Sequence, residues 1–140
     1  MINLFKRHRE GVLYILFGMI VTIVNWCVYA LLVAVVGIGI TLSNAIAWLL
    51  AIIVAFLTNK IFVFRSKTNG IANLLREAGA FLSSRVFTSV LEIFLPTALV
   101  FIGVNGAFFG IDGFWAKLIV NVIVIVLNYI LSKLFVFRKK

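Results

Sequence analysis

Four long apolar runs leave this chain few ways to fold. They cover residues 11–36, 40–64, 78–102 and 114–137, and each is long enough to cross about 30 Å of hydrocarbon as an α-helix. Inside lipid a backbone must satisfy its own polar groups, which restricts a spanning chain to helices or a closed barrel. The runs fill most of the 140 residues and leave room for no sizeable soluble module. Hydrophobic residues make up 64% of the chain and charged ones 12%, against roughly half and a quarter in a soluble domain. The expected fold class is therefore an all-α membrane protein. It would have four transmembrane helices arranged as two helical hairpins in a single membrane domain, residues 1–140.

The net charge of +9 would suit a nucleic-acid partner, but the positions of the charges argue against one. Lys6, Arg7 and Arg9 precede the first run; Lys60, Arg65, Lys67 and Arg76 lie around the segment between the second and third; Lys133, Arg138, Lys139 and Lys140 close the chain. The links 37–43 and 103–113 contain no Lys or Arg. Positive residues gather on the cytoplasmic side of membrane proteins, so both termini and the central segment are expected in the cytoplasm. The basic N-terminus precedes a run too long for a signal peptide, and a retained first helix is expected. Soluble-enzyme chemistry has little to work with. There is one His, His8, and one Cys, Cys27, too few for a metal set. The four acidic residues include no paired-carboxylate site, and no glycine-rich phosphate loop follows a strand. No enzyme activity, cofactor or metal is expected.

The chain also repeats itself. Residues 56–67 carry N-K-I-F-V-F-R, and the C-terminal residues 129–140 carry S-K-L-F-V-F-R, with Phe56 falling on Tyr129 at an offset of 73. At that offset Lys60 falls on Lys133, Phe62 on Phe135, Val63 on Val136, Phe64 on Phe137 and Arg65 on Arg138. The first helices of the two halves match at an offset of 67, which places Arg9-Glu10 on Arg76-Glu77, Gly18 on Arg85 and Asn25 on Glu92. The second link is accordingly six residues longer. Each hairpin starts and ends on one side, so the repeat is parallel, about an axis along the membrane normal. Residues 71–75, with Arg76, read either as a short interfacial helix or as an ordinary loop.

Polar groups in hydrocarbon are expensive, and their spacing is the most informative functional signal. In the fourth run Lys117, Asn121, Asn128 and Ser132 recur at steps that place them on one helical face. Gly18, Thr22, Asn25 and Tyr29 do so in the first run, and Arg85, Thr88 or Ser89, Glu92 and Pro96 in the third. The second offers Asn44, Ala47, Ala51, Ala55 and Thr58. Such faces are expected to converge on a shared interior. Small residues and amides also serve plain helix packing, and that reading stands beside the ligand-binding one for Gly18, the alanines and the asparagines. Glu92, about ten residues from either end of its run, is costly as a lone charge; Arg85 and Lys117 are its candidate partners. A Lys at 117 reaches either inward or out to the headgroups. Arg85 suits bidentate phosphate contact, while Lys60 and Lys133 sit at the cytoplasmic rim, as phosphate ligands or as simple anchors. Phe62, Phe64, Phe135 and Phe137 either pack or grip an acyl or prenyl chain.

The four spans, the N-A-I-A-W sequence at residues 44–48 and N-K-I-F-V-F at residues 59–64 resemble the GtrA-like family. So do Arg85 and Glu92 in the third span, and Lys117 opening a fourth that ends in S-K-L-F-V-F. The resemblance covers nearly the whole chain. It departs from the family pattern at Ser132, where an Asn before the Lys is usual, and at Phe62 and Phe135, where Trp is frequent. The resemblance implies translocation of a polyprenyl-phosphate-linked sugar across the bacterial cytoplasmic (inner) membrane, for glycosylation of a cell-surface polysaccharide. The implied partners are that glycolipid, membrane lipids, membrane glycosyltransferases and further copies of the chain. The residues expected to bind substrate are Arg85, Glu92, Lys117, Asn121, Asn128, Asn25, Asn59, Lys60 and Lys133. Two other functions fit the same stripes: a small proton-coupled exporter of cations or drugs using Glu92, and a non-transport scaffold for a glycosyltransferase.

Overall fold

The computed structural model describes residues 2–108 and 112–137, with side chains from residue 8 onward. Four α-helices carry the chain: α1 Ile2–Leu31, α2 Ile40–Thr58, α3 Ile71–Phe101 and α4 Phe114–Leu131. All four are long and apolar enough to cross a membrane, and no β-strand element occurs among the described residues. The chain is an all-helical, four-span membrane protein.

The helices form two compact units, residues 1–68 and 69–140. Each unit is one antiparallel hairpin. In the first, the Tyr14 ring lies 6.4 Å from Phe64, and Phe17 stacks on Phe62 at 5.2 Å. In the second, Phe81 meets Phe137 at 6.1 Å, and Thr88 bonds Asn128 further along. Residues 71–75 are the opening turns of α3 rather than a separate interfacial helix or a loop. Gly70, with φ +89°, provides the corner before them. The 31 residues of α3 rise about 46 Å at 1.5 Å each, longer than the roughly 30 Å of a hydrocarbon core.

Both second helices end alike. After α2, Asn59–Val63 form a π turn, closed by Phe64 N–H donating to the Asn59 carbonyl at 2.9 Å. After α4, Ser132–Val136 do the same, with Phe137 N–H donating to the Ser132 carbonyl at 2.8 Å. Widening the turn to an i→i+5 bond adds a residue per turn. That lets two successive residues, Val63-Phe64 and Val136-Phe137, both face the hairpin seam, where all four are buried. The repeated F-V-F is thus split: its second Phe locks the hairpin, whereas Phe62 and Phe135 are exposed at 50% and 72%. A further π turn, Leu32–Val36, ends the first helix at Gly37, whose φ of +76° starts the short link.

The seam of each hairpin is a strict i+4 row. In α2 it runs Ser43, Ala47, Ala51, Ala55 and on to Asn59; in α4 it runs Ala116, Val120, Val124, Asn128 and on to Ser132. These rows coincide position for position at the 73-residue offset. Four residues turn an α-helix by 400°, so such a row drifts about 40° per step. The partner helix follows it as a ridge.

Candidate functional site

That drift decides which polar residues meet. Lys117, Asn121, Asn128 and Ser132 lie within one sector of a straight helix, but the seam crosses this sector only at its C-terminal end. Asn128 and Ser132 are buried on the seam, Asn121 is half-buried, and Lys117 is exposed beside buried Ala116. Within this hairpin the buried row of α4 therefore takes Asn128 and Ser132 and leaves Asn121 and Lys117 beside it. In α2 the seam likewise takes Ser43 and Asn59 instead of Asn44 and Thr58. Thr58 Oγ1 bonds back to the Val54 carbonyl at 2.8 Å.

The second hairpin holds the polar cluster. Phe81 is fully buried against Phe137. One turn later the Arg85 guanidinium carbon lies 4.8 Å from the centre of the Phe81 ring. This is a cation–π contact that also covers part of the guanidinium's apolar face. Thr88 is buried next on α3, its Oγ1 2.9 Å from Asn128 Oδ1 and 3.1 Å from the Ser84 carbonyl. A hydroxyl has one proton. If Thr88 gives it to Ser84, Asn128 can turn its NH₂ to Oγ1, so the pair stays joined either way. Ser132, one turn beyond Asn128, is 1% exposed, and its Oγ has no hydrogen-bond partner among the described residues. A buried hydroxyl without a partner costs about 1–3 kcal/mol.

Glu92 is half-buried on α3, one turn past Thr88, and no ion pair joins it to Arg85 or Lys117 among the described residues. Pro96 follows within the same helix. Proline lacks the N–H that would bond the carbonyl four residues back, which in α3 is that of Glu92. An acidic side chain and a carbonyl deprived of its helical donor therefore share one position.

Further cations stand where α2 and α4 end. Lys133 Nζ lies 3.2 Å from the Tyr129 hydroxyl and 5.5 Å from its ring centre. In the first hairpin Asn59 is buried, and half-buried Lys60 donates to the Thr68 hydroxyl, tying the end of α2 to the central segment. Arg65 stands there in a left-handed backbone conformation, φ +49°. Asn25 is half-exposed on α1, and Thr22 Oγ1 bonds back to the Gly18 carbonyl at 3.0 Å. A Cβ on Gly18 would meet nothing within 4 Å, so Gly18 is not a close-packing point of its hairpin, whereas Ala47, Ala51 and Ala55 are buried in the seam. No cluster of metal-ligating side chains occurs among the described residues.

Two residues of this cluster stand outside the expected substrate-binding set, Thr88 and Phe81. Thr88 was discernible as one of two candidates on the α3 stripe. Phe81 carries no polar signal, although the 67-residue offset places it on Tyr14.

Two apolar helical hairpins, one of them holding a cation beside an amide–hydroxyl pair, make this a small four-span membrane protein. Residues 13–137 match the family model described as GtrA/DPMS, transmembrane domain, and the chain belongs to that family. It is 35% identical over 127 residues to the uncharacterised membrane protein YwcD of Bacillus subtilis, covering 91% of this chain and 95% of that one. It is 32% identical over 126 residues to the cell wall teichoic acid glycosylation protein GtcA of Listeria monocytogenes, covering 90% of this chain and 83% of that one. The GtcA of Listeria innocua matches at the same identity and coverage.

Proposed function

We propose that this chain serves cell-wall glycosylation by moving a polyprenyl-phosphate-linked sugar across a bacterial cytoplasmic membrane. Membership of the family and the teichoic acid glycosylation role in the names of the GtcA relatives support the glycosylation setting. The observation that carries the translocation step is the column Phe81–Arg85–Thr88–Asn128–Ser132 within the second hairpin. A lipid-linked sugar brings an anionic phosphate and a hydroxyl-rich head into hydrocarbon. A fixed guanidinium offers forked donors to phosphate oxygens, and amides and hydroxyls replace part of the lost hydration.

In this reading both termini face the cytoplasm and the two links face outward. Lys133 gathers the phosphate at the inner end of the second hairpin. Asn59 and Lys60 do so at the inner end of the first, with Asn25 further along α1. Glu92, Asn121 and Lys117 continue the route toward the outer end of the second. The chain makes and breaks no covalent bond. A membrane glycosyltransferase uses the delivered sugar, and further copies of the chain complete the enclosure that four helices leave small. The test is surface glycan content, by lectin binding, in cells carrying Arg85→Ala or Lys117→Ala protein at normal membrane levels. A collapse of decoration is expected; full decoration by both variants overturns the phosphate role.

A second reading, proton-coupled export of a cation, draws on Glu92 and the carbonyl that Pro96 deprives of its donor. It requires Glu92→Gln to abolish pH-driven efflux while glycan decoration is untouched.

A further inference from the structure

The six extra residues of the second link build something that the first link lacks. In the first hairpin, the π turn Leu32–Val36 and α2 are joined by Gly37–Gly39, with no aromatic residue. In the second, α3 closes with Val104 N–H on the Leu99 carbonyl at 2.9 Å and Gly103 N–H on the Val100 carbonyl at 3.1 Å. Gly103 sits at φ +106°, which makes this a glycine-ended Schellman cap that turns the chain sharply off the helix. The chain then passes so close to Trp115 that a Cβ on Gly106 would sit 2.9 Å from its Cδ1. Phe108, Phe114 and Trp115 cluster there. Phe108 lies 5.1 Å from Phe114 and 5.7 Å from Trp115, and Phe114 lies 5.6 Å from Trp115.

We infer that this aromatic cluster is a carbohydrate-binding subsite for the sugar of the transported lipid at the outer end of the second hairpin; the inference rests on the transport reading above. A pyranose ring is apolar on its C–H faces and polar around its rim, and it stacks on an aromatic face while its hydroxyls seek charged or amide partners. The cluster meets both needs. Trp115 meets its neighbours at 61° and 87°, edge to face, so the rings do not cover one another as stacked partners would. Trp115 remains 44% exposed and Phe108 42%. Exposed Asp112 and Lys117 flank Trp115 in sequence, a hydroxyl acceptor on one side and a phosphate counter-charge on the other. An ordinary membrane-interface belt of aromatics explains less. It needs no glycine fitted against a particular indole.

The test uses the full chain in lipid nanodiscs with Trp26 and Trp48 changed to Phe, leaving Trp115 as the sole tryptophan. The probes are citronellyl phosphate and its glucosyl, galactosyl and N-acetylglucosaminyl derivatives, with Trp115 emission as the readout. At least one glycosylated probe is expected to shift the emission saturably and to bind more tightly than bare citronellyl phosphate. In the three-tryptophan protein, with binding read by calorimetry, Trp115→Ala should remove that advantage, a loss of ~3- to 10-fold. Trp115→Phe should retain part of it. Gly106→Val, which displaces the indole without removing a ring, should act like Trp115→Ala. Binding of all four probes alike, or an advantage that survives both Trp115→Ala and Gly106→Val, overturns the subsite and leaves transport of the phosphate lipid standing. Failure of every probe to bind overturns both.

Discussion

The two hairpins share one frame and differ in what the frame carries. Tyr14 against Phe64 and Phe81 against Phe137 are the same contact at corresponding positions, with ring separations of 6.4 and 6.1 Å and tilts of 53° and 47°. The seams, the π turns and the buried Val-Phe pairs correspond as well. Along the seam, however, Ala51 and Ala55 become Val124 and Asn128, while on the facing helix Gly18 becomes Arg85, Val21 becomes Thr88 and Asn25 becomes Glu92. The first hairpin therefore reads as a packed scaffold, and the second as the same scaffold with a cation, an amide–hydroxyl pair and an acid set into it. Each seam keeps two buried polar residues, Ser43 and Asn59 in the first and Asn128 and Ser132 in the second, and the second joins one of its pair across the helices, Thr88 to Asn128.

The comparison breaks most readily at Arg85. Arg85→Ala is expected to cut surface glycan decoration at least ~10-fold, whereas Gly18→Ala at the corresponding position should leave it near wild type. Lectin binding at matched membrane levels checks both. The largest effects on stability are expected at the two locks: Phe81→Ala and Tyr14→Ala should each destabilise by about 3–5 kcal/mol if both rings act as equivalents. Thermal unfolding in detergent measures this, and a large loss for only one of them would deny the shared frame. Ala51→Val, which gives the first seam the residue found at 124 in the second, should cost about 1–3 kcal/mol by overpacking a seam fitted to alanine. The smallest stability effect is expected for Thr88→Val, about 0.6 kcal/mol for one lost interhelical bond. Its effect on transport should be the larger one, since it leaves Asn128 without its fixed orientation.

The four spans, the repeat and the family were legible in the sequence because they rest on long apolar runs and on a distinctive K-x-F-V-F-R ending. The pairing of polar residues was legible only in part. Spacing by four and seven placed Lys117 with Asn128, but a seam that follows an i+4 row drifts around the helix. It reaches Asn128 and Ser132 while passing Lys117 by. The π turns were hidden because nothing in N-K-I-F-V-F requires an i→i+5 bond; the gain appears only when two neighbouring side chains must both be buried against a partner. The aromatic cluster of the second link escaped notice because it depends on Gly106 admitting the indole, a contact between residues nine apart.

The central claim, that the second hairpin's cation and amide column carries a lipid-linked sugar across the bilayer, is tested most directly in liposomes holding this protein alone. A fluorescent polyprenyl-phosphate sugar is loaded on one leaflet, and its arrival on the other is followed by chemical quenching. The account predicts rapid equilibration with the wild-type chain and with Gly18→Ala, and a rate near that of empty liposomes with Arg85→Ala. Equal rates for Arg85→Ala and wild type, or no rate above empty liposomes for either, would contradict it.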